Sequence, residues 1–208
     1  MNPHVLMTAI LFASAAIVGI VIAAAICSRI RGHADGPPSG TPPVVALVAG
    51  AALLGGIAGS HAHPDPAHLF LVAITTAAFA AAWYCDTVHG VIPDVFSVGP
   101  LVLVAILAFT SHDPRMPISA AVVAVPFAGA AFLSRGRGMG WGDVKLAAVS
   151  GALLGASNAL LALALASFGA VVAAKLRPQT SPAAPSQPMA FAPYLIGATA
   201  LFTAFATL

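Results

Sequence analysis

The chain has 208 residues, of which 60% are hydrophobic and only 7% are charged. With a mean hydropathy of +0.98, this composition excludes a soluble globular domain. The formal net charge of +2 gives no sign of a nucleic-acid partner. Composition therefore predicts an integral membrane protein.

Apolar runs recur along the whole chain, and a membrane-crossing helix needs about 20 mostly apolar residues. In chain order the runs are Val5–Cys27, Pro43–Ser60, His68–Cys85, Val95–Thr110, Ile118–Ser134, Val144–Ala174 and Phe191–Leu208. The sixth run is too long for one span and short for two, and the turn residues Gly155-Ala-Ser-Asn158 interrupt it. We therefore predict an all-α polytopic bundle of about eight transmembrane helices, forming a single domain over residues 1–208.

The first run could be mistaken for a signal peptide. Met1–Cys27 lacks a basic n-region, however, and its apolar stretch is longer than a typical h-region, so we expect a first membrane helix. The two cysteines, Cys27 and Cys85, lie at the ends of apolar runs and form no CxxC motif. The sequence therefore predicts neither a zinc site nor a disulfide framework.

The cationic side chains are distributed unevenly between alternate loops. If the first helix leads into the cytoplasm, seven fall inside: Arg29, Arg31, Arg135, Arg137, Lys145, Lys175 and Arg177. Only Arg115 falls outside. Because cationic side chains resist translocation, this bias predicts that the N-terminus lies outside the cell.

The chain contains no glutamate and only six aspartates. Three lie in Pro-, Gly- or His-rich stretches that predict solvated loops: Asp35, Asp65 and Asp113. Asp94 follows a proline, and we interpret it as a helix N-cap. Asp86 ends one apolar run and Asp143 begins another, and the predicted topology places both at the cytoplasmic boundary. Ionisable groups at a membrane edge indicate a functional site, and two of them predict an acid/base pair.

A short motif surrounds each of these two aspartates. The first segment, residues 86–94, reads Asp86-Thr-Val-His-Gly-Val-Ile92-Pro93-Asp94; Gly90 permits a turn, and Pro93 prevents the helix from continuing. The second segment, residues 138–145, reads Gly138-Met-Gly140-Trp-Gly142-Asp143-Val-Lys145. Its alternating glycines predict a side-chain-poor approach to a helix start, where another backbone can come close.

These segments resemble the type IV prepilin peptidases, the membrane aspartyl proteases of the GxGD class. In that family the first catalytic aspartate lies six residues before an Ile-Pro pair followed by Asn or Asp, as Asp86 lies before Ile92-Pro93 here. The second aspartate belongs to a Gly-x-Gly-Asp-x-Lys motif, matched by Gly140, Gly142, Asp143 and Lys145. Phe191-Ala-Pro193 resembles the family's Pro-containing segment that opens the last helix. The resemblance covers roughly residues 69–208.

The resemblance implies that Asp86 and Asp143 are catalytic and that the substrate is a prepilin or pseudopilin with a hydrophobic stem. It implies no cofactor and no metal. The partners would be this substrate and membrane lipid, not nucleic acid. The chain lacks the insert with paired CxxC motifs found in long family members, and has only His89 where many carry basic residues. We therefore expect the short form found with Flp or Tad-type pili, without N-methyltransferase activity.

Other interpretations remain open from the sequence. Asp143 is also placed to be a helix N-cap, and Lys145 to extend its amine to the membrane interface or to a carboxylate. His61, His63 and His68 are spaced like metal ligands, although a short Pro-rich loop is a poor site for a metal. The rival functions are a proton- or cation-coupled transporter and a catalytically inactive scaffold for pilus assembly.

Overall fold

The computed structural model describes residues 3–30, 44–60, 66–133, 139–176 and 190–205, and within these ranges every regular element is an α-helix. The seven helices are α1 (Pro3–Ile30), α2 (Val44–Ser60), α3 (Pro66–His89), α4 (Asp94–Ser111), α5 (Arg115–Leu133), α6 (Trp141–Leu176) and α7 (Ala192–Phe205). The predicted all-α membrane bundle is therefore confirmed.

The number of spans is smaller than the eight predicted. Among the described residues, four helices are long and apolar enough to cross a membrane: α1, α3, α5 and α6. The apolar parts of α2, α4 and α7 are shorter. The difference in helix number arises at α6, which joins into one element the two spans predicted on either side of Gly155.

Gly155 interrupts the helical geometry of α6, with φ 74° and ψ 161°. Ser150 and Gly169 are 19 residues apart on α6, on either side of Gly155, but they contact residues of α7 that are only five positions apart. Ser150 shares a hydrogen bond with Thr199, which is in the middle of α7. Gly169 lies against the ring of Tyr194, which is near the start of α7. The chain therefore reverses at Gly155, within the turn residues that the sequence predicted.

Helices α1 and α3 pack closely and run parallel. A side-chain carbon on Gly19 would lie 2.0 Å from the carbonyl oxygen of Ala77, so only glycine permits this approach. Eight residues further along each helix, Cys27 and Cys85 form a disulfide. The prediction of no disulfide was therefore wrong. Spacing along the chain reveals CxxC motifs, but not the pairing of cysteines 58 residues apart.

Most of the buried core lies among α1, α2, α3, α6 and α7, while α4 and α5 cover one side of it. Large apolar side chains on the outer surface are exposed, including Ile10 on α1, Phe109 on α4 and Leu133 on α5. Because lipid tails are as apolar as these side chains, such a surface suits a bilayer and not water.

Candidate functional site

Asp86 lies in the last turn of α3, and its side chain is half-buried. The helix continues to His89, one turn further than the apolar run predicted. Gly90 then ends it, with φ 66° and an N–H that donates to the Asp86 carbonyl oxygen at 2.9 Å. The turn predicted at Gly90 is therefore present, and it directs the chain away from Asp86 toward α4.

Pro93 is the N-cap residue of α4, and Asp94 is the first residue of that helix. The interpretation of Asp94 as the N-cap was therefore wrong, and no side chain donates or accepts a capping hydrogen bond there. Proline takes this position because its ring fixes φ near the extended value observed, −59°. The Asp94 carboxylate is left available for another partner.

Asp143 is the third residue of α6 and is only 8% exposed. Its N–H donates to the carbonyl oxygen of Gly140 at 3.1 Å, which begins the helix. Asp143 is thus inside the first turn and is not the N-cap that the alternative interpretation required. The glycines before it keep this approach free of side chains, although Gly138 lies outside the described residues.

The structure brings Asp86 and Asp143 to the same end of the bundle, within electrostatic range of each other. We call these two residues the aspartate pair. Oδ1 of Asp143 is buried and makes no hydrogen bond to any described residue, and the same holds for Oγ1 of Thr87, the neighbour of Asp86. Buried polar atoms left unpaired cost about 1–3 kcal/mol each, so these oxygens favour a site that takes up polar atoms from outside the chain.

The start of α7 completes one side of the site. The backbone N–H of Ala192 donates to Oδ2 of Asp86 at 3.0 Å. The first N–H groups of a helix have no partner within the helix and carry its positive end, so they suit a carboxylate. Pro193, the second residue of α7, suits a helix start because it lacks an N–H. The Pro193 segment therefore positions a donor at Asp86.

The first and second segments also contact each other directly. A side-chain carbon on Gly142 would lie 3.0 Å from Cβ of Ile92, so the helix start approaches the loop as closely as a glycine allows. The Lys145 amine donates to the carboxylate of Asp94. The amine of Lys145 thus contacts a carboxylate, as one of its two expected roles required, and this carboxylate belongs to Asp94.

Sequence reasoning missed two contributors to this site: the backbone of Ala192 and the pairing of Asp94 with Lys145. Ala192 acts through its backbone, so no residue pattern marks it. The ion pair joins positions 51 residues apart, and such a distant pairing is not visible in one sequence.

Metal ligation was considered for the histidine cluster. His61 and His63 lie outside the described residues, as does the side chain of His68. Among the residues that the structure does describe, no three His, Cys, Asp or Glu side chains come together in a group able to hold a metal ion.

Comparison with models of known protein families gives a match. The model of the type IV leader peptidase family matches residues 72–174, a range that contains both members of the aspartate pair. No curated protein and no solved structure matched the chain. The matched range begins within α3 and ends within α6, the two helices that carry Asp86 and Asp143. The chain therefore belongs to the type IV leader peptidase family.

Proposed function

We propose that this chain is a membrane aspartyl endopeptidase that removes the leader peptide of Flp or Tad-type prepilins at the cytoplasmic boundary of the inner membrane. The observation that supports this most directly is the aspartate pair. Its two carboxyl groups come from different helices, within electrostatic range at one end of the bundle. The family match covers both residues.

Peptide hydrolysis by two carboxyl groups requires one ionised and one protonated group. Two close carboxylates in surroundings of low polarity repel, so they share one proton and titrate as a unit. The ionised group takes a proton from water, and the water oxygen attacks the scissile carbonyl carbon. The protonated group donates its proton to the carbonyl oxygen, which gives a tetrahedral gem-diol intermediate. On collapse the first group passes the proton from water to the leaving nitrogen, the second group takes a proton back from a hydroxyl of the intermediate, and the C–N bond breaks to release the leader and the mature pilin.

The hydrogen bond from Ala192 holds one oxygen of Asp86 in place. The other Asp86 oxygen is then oriented by that contact, because a carboxyl group is planar. The unpaired Oδ1 of Asp143 offers a second oxygen for water or for the substrate carbonyl. This arrangement suits a water molecule held between two acids, and no step in this chemistry calls on a metal or a cofactor.

The depth of the site suits a substrate that crosses the membrane surface. The aspartate pair lies at the ends of apolar helices, where a hydrophobic stem leaves the bilayer and a polar leader begins. The positive charge bias of the sequence supports a cytoplasmic position for this end of the bundle. We further propose that the mature N-terminus is released without methylation.

The test is co-expression with a prepilin from the same genome, scored by the mobility shift on leader removal. Asp86→Asn and Asp143→Asn each keep the side-chain shape but lose the acid, and each should abolish the shift. The matched control is Asp113→Asn, at the other end of α4, where the carboxylate accepts a hydrogen bond from the Arg115 N–H. This control should process normally.

Processing that survives in both variants of the pair would overturn the proposal and favour a scaffold. Absence of processing by the unaltered chain, with proton or cation flux in vesicles that either variant abolishes, would favour a transporter. Mass spectrometry of the mature pilin tests whether its N-terminus is released without methylation. A methylated N-terminus in cells without another methyltransferase would contradict that proposal.

A further inference from the structure

A cavity lies among α2, α3, α6 and α7, on the membrane side of Asp86. Its α3 wall runs from Val72 to Trp83, and Trp83 is one helical turn before Asp86. Its α7 wall includes Ile196, Thr199 and Thr203. The cavity is therefore adjacent to the aspartate pair, but no residue of the pair lines it.

The walls of the cavity continue the helix faces that form the site. On α3, Phe79 is seven residues before Asp86, and Val72 is fourteen before it, so both lie on the face of Asp86. On α7, Ile196 and Thr199 are four and seven residues after Ala192 and share its face. The hydrogen bond from Ala192 to Asp86 joins these two helix faces at the aspartate pair. A substrate held at the pair would therefore pass this cavity where the substrate enters the membrane.

Three of the four threonine hydroxyls in the walls, all except that of Thr76, donate to backbone carbonyl oxygens of the protein. Thr75 donates to the carbonyl oxygen of Leu71, Thr199 to that of Leu195, and Thr203 to that of Thr199, each at 2.8 Å. Thr199 also shares a hydrogen bond with Ser150 on α6. These walls therefore present mainly hydrocarbon to the cavity, and an apolar occupant suits them better than a polar one.

The size of the cavity limits what it can hold. It has about 480 Å³ of empty space including its open mouth. A helix about 10 Å wide and 16 Å long, the distance from Val72 to Trp83, occupies about 1,200 Å³. The cavity is thus too small for a helical stem, and its enclosed part is at most of the size of a single apolar side chain.

We propose that this cavity receives an apolar side chain from the membrane-embedded stem of the substrate, about two helical turns from the bond that is cut. The inference rests on the proposed function and adds a specificity site to it. Continuity with the aspartate pair identifies the occupant: the stem of a bound substrate passes the cavity, whereas a lipid tail has no reason to lie at this position in preference to others.

The test is a substitution in one wall that enlarges a side chain and so fills the cavity. Ala200 is half-buried on α7 and lines the cavity, so Ala200→Leu places three extra carbons inside it. With a co-expressed prepilin from the same genome as substrate, we expect processing to fall by about tenfold through a higher KM, with kcat little changed. The matched control is Ala121→Leu on the exposed face of α5, which should process normally.

A rescue experiment separates filling of the cavity from damage to the fold. Each large apolar residue in the stem of the prepilin is shortened to alanine in turn. We expect one such substrate to be processed by Ala200→Leu better than the unaltered prepilin, because the smaller side chain fits the reduced space. A second filling variant, Thr76→Leu on α3, should be rescued by the same substrate.

Unchanged processing by Ala200→Leu, or a loss that no shortened stem relieves, would overturn the inference while leaving the proposed function intact. A lipid that copurifies with the unaltered chain and is lost from Ala200→Leu, with processing unaffected, would also overturn it and assign the cavity to lipid. Failure of the unaltered chain to process any prepilin would instead remove the proposed function itself.

Discussion

Lys145 donates to the carboxylate of Asp94. Lys145 is two positions after Asp143, and Asp94 is eight positions after Asp86, so the ion pair joins the segments that carry the two aspartates. The lysine is 29% exposed and the aspartate 76%. An exposed ion pair contributes only about 0–1 kcal/mol to stability. Its importance lies in its position, because it ties the first segment to the second at the aspartate pair.

We predict that Lys145→Ala lowers prepilin processing by up to about fivefold, the equivalent of about 1 kcal/mol. The unfolding temperature in detergent should hardly change. Exchanging the charges, Lys145→Asp with Asp94→Lys, should restore part of the lost activity. If the exchanged protein is less active than either single variant, Lys145 acts on the substrate or the aspartate pair and not through Asp94.

A methyl group at Gly142 should separate the two segments. In Gly142→Ala the new carbon would lie 3.0 Å from Cβ and 3.1 Å from Cδ1 of Ile92, and overpacking of this kind costs about 1–3 kcal/mol. We expect a loss of processing that Ile92→Ala partly reverses in the double variant. Gly129→Ala is the matched control, because nothing lies within 4 Å of its added carbon.

The hydrogen bond from Ala192 to Asp86 can be tested at the backbone. Replacing Ala192 by lactic acid during cell-free synthesis converts its N–H to an ester oxygen and removes the donor. Hydrogen bonds to charged groups contribute about 1.5–3 kcal/mol, so processing should fall by about 10- to 100-fold. Replacing Tyr194 by its own α-hydroxy acid, 4-hydroxyphenyllactic acid, keeps the side chain, removes a donor to the Phe191 carbonyl oxygen and should have a much smaller effect. Equal losses at both positions would show that helix α7 itself, and not the contact with Asp86, had been disturbed.

Gly155 should be intolerant of any side chain. Its φ of 74° and ψ of 161° lie in a region open essentially only to glycine, so Gly155→Ala should destabilise the fold by about 1–3 kcal/mol. Thermal unfolding in detergent measures this. Gly99→Ala, in α4 and with open space around it, should be neutral or slightly stabilising. A neutral Gly155→Ala would show that the chain does not need this reversal.

Hydropathy was sufficient to predict the class of fold, and charge with motif spacing was sufficient to single out Asp86 and Asp143. The turn at Gly90 and the break at Gly155 also followed from residue type. Each of these inferences depends on residues close together in the chain. The eight-span count was less accurate, because only four of the described helices are long and apolar enough to cross a membrane, although the chain does reverse at Gly155.

The remaining features depend on contacts between distant parts of the chain. Asp94 was assigned to a cap because a carboxylate after a proline often has that role, and its true partner, Lys145, lies on another helix. The N–H of Ala192 has no side chain to recognise. Helix packing determined both outcomes.

The redox state of Cys27 and Cys85 indicates on which side of the membrane the aspartate pair lies. Cys85 directly precedes Asp86, so whichever side of the membrane holds these sulfurs also holds the aspartate pair. Because bacterial cytoplasm keeps thiols reduced, this disulfide and the proposed cytoplasmic position of the aspartate pair predict opposite redox states for the two cysteines. Alkylation of whole cells followed by mass spectrometry would find two modified thiols if the acids face inward, and an unmodified oxidised pair would place them in the periplasm.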